Sequence, residues 1–190
     1  KLREGIKLVA ESSTPADAVA LYEAIGIAKP GGLSRAPRLD VTNPASRRRL
    51  LEDNVTLFDV FQIASEYDSI ASEWVNNYSV TFDLGYPYLT QQLHETKDIN
   101  TATVHTFLKI LSEVPDTLIA RKLGRTTAIE VSEEAKQVLQ AGGLTTPSGR
   151  ERLGKLDEKL RDRAHRLNPG TTADITAAVL AINILNGYRP

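Results

Sequence analysis

The feature that most restricts what this chain can fold into is a helical periodicity that recurs along almost its whole length, with no alternating segment long enough for a strand. Between Asn54 and Trp74, Leu57, Val60, Phe61, Ala64, Tyr67, Ala71 and Trp74 follow one another at three- and four-residue steps, the spacing that lines one face of an α-helix. The same spacing returns after Pro15, from Tyr86 to His94, and in Val104, Phe107, Leu108 and Leu111. The fold class read from this pattern is all-α, a multi-helix bundle. The 190 residues, 41% hydrophobic and 25% charged, suit a single domain over 1–190 with its own core.

Helix ends are written into the sequence as well. Thr14-Pro15-Ala16-Asp17 reads as an N-cap, a proline in the first turn and an acid reaching back. Lys29-Pro30-Gly31-Gly32 ends that helix, and residues 29–52 with prolines 30, 37 and 44 read as a long loop. Asn54 to Trp74 reads as one helix. Asp98 or Asn100 caps the next, Pro115 to Gly124 forms another, and Ser132 to Leu139 a short one before Gly142-Gly143. Ser148-Gly149-Arg150-Glu151 reads as a capping box opening a charged amphipathic helix. The final helix, from Asn168-Pro169-Gly170-Thr171-Thr172-Ala173-Asp174 to Gly187, has no charge after Asp174 until Arg189 and is expected at the centre.

Composition removes several function classes. With no cysteine, disulfides, thiolate metal sites and cysteine nucleophiles are excluded. No apolar run approaches the roughly 20 residues of a membrane span, and Lys1, Arg3, Glu4, Lys7 and Glu11 leave no signal-peptide core. A cytoplasmic protein with no membrane partner is the expectation. Starting at Lys1 and without a methionine, the chain reads as a piece of a longer protein or as one lacking some native residues.

The net charge of −1 hides an asymmetry. Lys29, Arg35, Arg38, Arg47, Arg48 and Arg49 fall in residues 29–50 with one acid, Asp40; residues 51–100 carry nine acids and one base, Lys97. A nucleic-acid binder favours one broad basic surface, so no nucleic-acid partner is expected. A basic loop beside an acidic helical region suits a magnesium-bound polyphosphate; blocks of opposite charge also simply pair on a surface. Asp59, Glu66 and Glu73, seven apart, share a face of the expected helix and read either as metal ligands or as a solvated stripe.

No P-loop, G-x-G-x-x-G or G-x-S-x-G motif is present. His94, His105 and His165 lack metal-ligand spacing, and His105 reads as a partly buried histidine with its partners satisfied. Three polar turns remain. Lys29 to Arg35, with Arg38 and Asp40 beyond it, offers glycines for close approach and a point charge for phosphate. Glu95 to Thr101 crowds carboxylates and an amide at a helix start, which capping alone also explains. Asn168 to Asp174 opens a helix whose first N–H groups suit an anion, or a plain cap on Thr171 and Asp174.

In their order, Lys29-Pro30-Gly31-Gly32-Leu33, Asp98-Ile99-Asn100-Thr101 and Asn168-Pro169-Gly170-Thr171-Thr172-Ala173-Asp174 resemble the triphosphoribosyl-dephospho-CoA synthase family, above all its archaeal-type members, over about residues 20–190. The resemblance implies an all-α enzyme that moves the triphosphoribosyl part of ATP to the ribose 2′-hydroxyl of 3′-dephospho-CoA and releases adenine. Arg38-Leu39 precede Asp40 where bacterial members carry a histidine. Ala102-Thr103-Val104 follow Thr101 where they carry His-Lys-Gly. These departures leave a related nucleotide acceptor open.

On this resemblance Lys29, Gly31, Gly32, Arg35 and Arg38 are expected on phosphates. Asp40 and Asp98 are expected to hold magnesium or stabilise an oxocarbenium ion, with Glu66 as a further metal ligand. Asn100 and Thr101 are expected to position ribose or phosphate, Asp174 to act as a base, and the Gly170, Thr171 and Thr172 amides to form an anion nest. ATP enters as substrate and Mg2+ as cofactor, the partners are small molecules, and a homo-oligomer is compatible with the chain. The expectation as a whole is that the three turns converge on one triphosphate. Two other classes stay open. One is an all-α magnesium-dependent nucleotide pyrophosphohydrolase using Asp59, Glu66 and Glu73; the other is a non-catalytic interaction module presenting the helix from Ser148 to Arg166.

Overall fold

The computed structural model describes residues 1–30, 33, 35–161 and 164–189, and among these every regular element is helical. The chain divides into two compact units, Lys1–Tyr78 and Ser79–Pro190.

The first unit holds α1 (Leu2–Glu11), α2 (Pro15–Ala28), α3 (Pro44–Glu52), α4 (Leu57–Ala64) and α5 (Ser69–Val75). Helix α2 starts as its sequence requires. The Asp17 amide donates to Thr14 Oγ1 at 3.3 Å, and Asp17 Oδ2 accepts the Thr14 amide at 2.7 Å, so two otherwise orphaned donors are satisfied. Thr56 and Asp59 repeat the device at α4.

Two expectations fail in this unit. Residues 29–52 are not loop throughout, because Asn43 accepts the Ala45 amide at 3.0 Å and Pro44 occupies the first turn of α3. Asn43-Pro44 is a start signal that the neighbouring arginines obscured. Residues 54–74 are not one helix either. The Asp68 carboxylate accepts the amides of Ile70 and Ala71 at 2.8 and 3.3 Å and begins α5 anew. Phe61 of α4 stacks on Trp74 of α5 at 5.3 Å, and Trp74 meets Tyr78 edge-on. The apolar period runs unbroken because the two short helices bury their apolar faces against each other, and periodicity does not register the turn between them. The small core of the unit joins Ala18, Tyr22 and Leu50, flanked by half-buried Val19, Leu39, Val41, Val55, Leu57 and Val60.

The second unit opens with a π-helical stretch, Val80–Gly85. It continues with α6 (Tyr86–Thr96), α7 (Ile99–Glu113), α8 (Thr117–Leu123), α9 (Arg125–Gln140), a 3₁₀ turn (Gly143–Thr145), α10 (Pro147–Leu160) and α11 (Gly170–Leu185). Its core gathers Leu108 and Leu111 of α7, Ile119 of α8, Ala128, Val131, Ala135 and Val138 of α9, and Leu156 of α10. Helix α11 buries Ile175, Val179 and Ile182 and packs on α6, α7, α8 and the π-helical stretch. The central place expected for it in this unit is what the structure shows.

Three details correct the sequence reading. Helix α9 begins at Arg125 rather than Ser132, because Gly124, at φ 92°, ends α8 and leads straight into the next helix. Helix α10 is capped by Thr146, whose Oγ1 accepts the Gly149 amide at 3.0 Å, with Pro147 in the first turn. The expected box at Ser148 falls two residues past this cap, still in the first turn, and α10 ends at Leu160 rather than Arg166.

Candidate functional site

The second unit contains a polar cleft of about 600 Å3 where α6, the start of α7 and the Gly142–Thr145 turn meet. Its walls carry Tyr88, Gln92, Glu95, Thr96, Thr101 and His105, with Gly142, Leu144 and Thr145 opposite. Each polar side chain is placed by local chemistry.

Asp98 caps α7: its carboxylate accepts the Thr101 amide at 2.8 Å, the Thr101 hydroxyl at 2.6 Å and the Asn100 amide at 3.4 Å. The Thr101 hydroxyl is the chief cause that holds the Asp98 carboxyl below the usual carboxylate range. Asp98 therefore fixes Thr101 at the cleft wall.

His105 lies beneath, only 5% exposed. Its Nε2 accepts the Leu144 amide at 2.9 Å, and its Nδ1 lies 2.7 Å from Gln92 Oε1. A backbone N–H is a donor without alternative, so Nε2 carries no proton and Nδ1–H donates to Gln92. Burial is the main influence on this imidazole and lowers its pKa, while the nearby Glu95 pulls it the other way. The satisfied histidine expected from the sequence is found. Gln92 in turn donates through Nε2 to Glu95 Oε2 at 2.9 Å, and Gln91 Nε2 donates to Glu95 Oε1 at 2.8 Å. On the same helix the pKa of Tyr88 is raised, first by burial and then by the Glu95 charge.

Gln92, Glu95 and His105 were not singled out as site residues from the sequence. Glu95 stands in the Glu95–Thr101 turn, but its link to a histidine in the middle of the next helix has no local signature.

The Asn168–Asp174 turn is built differently from expectation. Asp116, 1% exposed, caps α8 by accepting the amides of Leu118 and Ile119 at 2.9 and 3.1 Å. Its other oxygen accepts the Thr172 amide at 2.8 Å and the Thr172 hydroxyl at 2.9 Å. The Gly170 amide is given to Asn168 and the Ala173 amide to Pro169, and Thr171 meets Thr117, hydroxyl to hydroxyl, at 3.2 Å. The helix start does take an anion, but that anion is Asp116, so Thr172 does not serve an external nest. The side-chain cap on Thr171 and Asp174 is absent as well. Asp174 is exposed and, like Gly170, Thr171 and Thr172, is not part of the cleft wall.

In the first unit Lys29 takes a left-handed conformation, φ 44°, at the end of α2. It lines a shallow, mostly apolar hollow of about 260 Å3 with Ile25, Gly26, Pro30, Leu33, Val41 and Thr42. Arg35 and Arg38 are exposed. Asp40 organises the same loop. Oδ1 accepts the Thr42 amide at 2.7 Å and hydroxyl at 2.6 Å, and Oδ2 accepts the Ala36 amide at 3.0 Å. The Thr42 hydroxyl is again the leading cause of a lowered carboxyl pKa, with Arg35 contributing last. The structure thus brings Lys29 and the Asp40–Thr42 turn together. Gly31 and Gly32 lie outside the described residues.

Within neither unit do the expected metal ligands form a site among the described residues. Asp98 is occupied as the cap of α7 and Asp40 by the amides and hydroxyl of its own loop, Glu66 lies in the turn between α4 and α5, Asp59 closes the α4 capping box, and Glu73 is buried in α5. Among the described residues no group of three His, Asp or Glu is placed to hold a metal ion. The break between α4 and α5 removes the shared face on which the Asp59–Glu66–Glu73 stripe depended.

Comparison with known proteins gives one consistent result. The family model described as CitG, ATP:dephospho-CoA triphosphoribosyl transferase, matches residues 1–190. A protein of Pseudomonas fluorescens named "Probable 2-(5''-triphosphoribosyl)-3'-dephosphocoenzyme-A synthase" is 30% identical over 144 residues, 73% of this chain and 49% of its own length. The 2-(5''-triphosphoribosyl)-3'-dephosphocoenzyme-A synthase of Klebsiella pneumoniae is 33% identical over 91 residues, 48% of this chain and 30% of its own. The chain thus spans half or less of the length of these curated relatives. A crystal structure from Archaeoglobus fulgidus, assigned as a triphosphoribosyl-dephospho-CoA synthase, superimposes with a TM-score of 0.77 at 23% identity, covering 98% of this chain and 73% of that one. At that identity the likeness is one of fold. No helix among the described residues is long and apolar enough to cross a membrane.

Proposed function

The chain belongs to the ATP:dephospho-CoA triphosphoribosyl transferase family, and from this premise we propose that it transfers the triphosphoribosyl group of ATP to a ribose hydroxyl of 3′-dephospho-CoA with release of adenine. The observation that carries the reading is the family match over residues 1–190. The polar cleft at Thr101 supports it, because there the Asp98-Ile99-Asn100-Thr101 motif meets a space large enough for a nucleoside.

The reaction sets its own requirements. Cleaving the ribose C1′–N9 bond builds positive charge at C1′, which fixed acceptors stabilise. The triphosphate stays on the product, so binding energy at the phosphates orients the ribose throughout. Lys29, Arg35 and Arg38 are assigned to the triphosphate, and Asn100 and Thr101 to the ribose. Asp40, spent on its own loop, and Asp98, spent on the cap of α7, position Thr42 and Thr101 rather than touch substrate. Asp174 keeps a place as an exposed acid near the start of α11, outside the cleft. Magnesium enters as the counter-ion of the triphosphate, the usual mode for an ion that prefers substrate phosphates and water to an all-protein cage. An ATP-consuming reaction implies action in the cytoplasm.

The pyrophosphohydrolase reading loses its basis with the broken acidic stripe. In the interaction-module reading α10 presents the partner surface, yet part of its charge is paired within the chain, Lys155 with Glu151, Lys159 with Glu134 and Arg161 with Asp157.

The test is incubation with ATP, magnesium and 3′-dephospho-CoA and separation of the products. Adenine appearing in step with a triphosphoribosylated acceptor supports the transfer. Pyrophosphate without adenine overturns it, and so does unconsumed ATP.

A further inference from the structure

The cleft in the second unit contains one carboxylate, Glu95, and its surroundings show what that group is held for. The order of donors is fixed from the backbone outward. The Leu144 amide donates to His105 Nε2, so the imidazole proton sits on Nδ1; His105 Nδ1–H donates to Gln92 Oε1, so the Gln92 amide nitrogen faces Glu95; that nitrogen donates to Oε2, and Gln91 donates to Oε1. Each link leaves the next no choice of orientation. The chain ends on a carboxylate that only accepts. Two of its roughly four lone-pair positions are filled by the glutamines, which leaves acceptor capacity in a cleft whose other polar groups are hydroxyls, Tyr88, Thr96, Thr101 and Thr145. Asp98, the other acid at this helix start, has both oxygens committed to α7.

We propose that Glu95 is a catalytic residue of the transfer, the base that accepts the proton of the attacking ribose hydroxyl, and that Gln92 and His105 are positioning residues that hold it. The assignment rests on the transferase reading. In the step, the acceptor oxygen forms a bond to C1′ as its proton passes to Glu95. The C1′–N9 bond breaks with its electron pair going to adenine N9. N9 takes up a proton, so Glu95, once deprotonated again, leaves the balance of one hydroxyl proton lost and one adenine proton gained.

The experiment measures adenine release from ATP and 3′-dephospho-CoA across pH with the wild-type chain, E95Q and E95A. Glu95 is exposed at the end of α6, and circular dichroism melts check that the variants fold. The expected result is a kcat lower by about 100-fold or more in E95Q, within the range attributed to a positioned base, at a KM for ATP close to wild type. The acid limb of the wild-type rate profile is expected to vanish in E95Q, and E95A is expected to regain turnover in proportion to added formate, which a purely structural role would not produce. A wild-type chain that releases no adenine overturns the transferase reading and this assignment with it. An active wild type whose E95Q variant keeps more than about a third of kcat overturns the assignment alone, and so does an E95A variant that formate leaves unchanged.

Discussion

Asp116 shows how much a single side chain can join. Its carboxylate accepts four hydrogen bonds, two from the first turn of α8 and two from Thr172 of α11, with 1% of the residue exposed. Removing it orphans buried donors at two helix starts, and bonds to a charged group are the expensive ones to lose. D116A is expected to destabilise the second unit by about 3 kcal/mol or more, read as a lower urea midpoint at an unchanged slope. His105 makes a different prediction. Its folded pKa is lowered, chiefly by burial, so between the unfolded value near 6.5 and the folded one the unfolded chain binds the extra proton. Stability is complete above that window and is lost as pH falls through it. The thermal midpoint should drop between pH 7 and pH 5, and H105Q should flatten that drop; equal slopes in both proteins would contradict it. Of the two residues, His105 was read from its apolar helix face as a satisfied histidine. Asp116 was passed over although Pro115-Asp116-Thr117 is a cap signal, because its second role depends on Thr172, a residue far along the chain.

Among the elements, starts were more legible than breaks. Thr14-Pro15 and Asp98 cap where the sequence says, since a cap is a local contract between a side chain and amides two or three residues on. The turn at residues 65–68 and the true start of α9 escaped, because apolar period carries across a hairpin whose helices pack on each other. Helix α10 illustrates a constraint that no local pattern holds. A Cβ at Gly149 would overlap the backbone of Gly143, with the Gly142 carbonyl carbon at 2.8 Å. The first turn of α10 therefore lies directly on the loop that donates Leu144 N–H to His105. A backbone atom cannot swing aside as a flexible side chain does, so G149A should push the loop from its place. The expected cost is about 3 kcal/mol, visible as a lower melting temperature and as faster hydrogen exchange at the Leu144 amide. Unchanged exchange there would show that the loop does not depend on this contact. G154A, on the same helix with nothing within 4 Å of its added Cβ, is the control and should be neutral or slightly stabilising.

At the scale of the whole molecule, helical class was legible throughout, whereas the division into Lys1–Tyr78 and Ser79–Pro190 was not, because no proline or glycine marks the boundary at Tyr78. The two units differ in what they bury. Among the described residues the fully buried large aliphatic side chains of the second unit are Leu89, Leu108, Ile110, Leu111, Ile119, Val131, Val138 and Val179; the first contributes Leu50. At about 1.5–3 kcal/mol for each such side chain, set against an ordering cost that rises with every residue, the second unit has the larger margin by far. A fragment of residues 79–190 is therefore expected to fold alone, with a cooperative melt and the Nδ1–H tautomer of His105 intact by ¹⁵N NMR. A fragment of residues 1–78 is expected to be only partly helical and to melt broadly, in the range where small domains need additional support. Trp74, the single tryptophan, lies in the first unit and stacks on Phe61, so its fluorescence follows that half of the chain separately. In the intact protein, tryptophan emission that changes at a lower temperature than total helicity would place the weaker unit where the burial places it. Coincident transitions would contradict that order of stability.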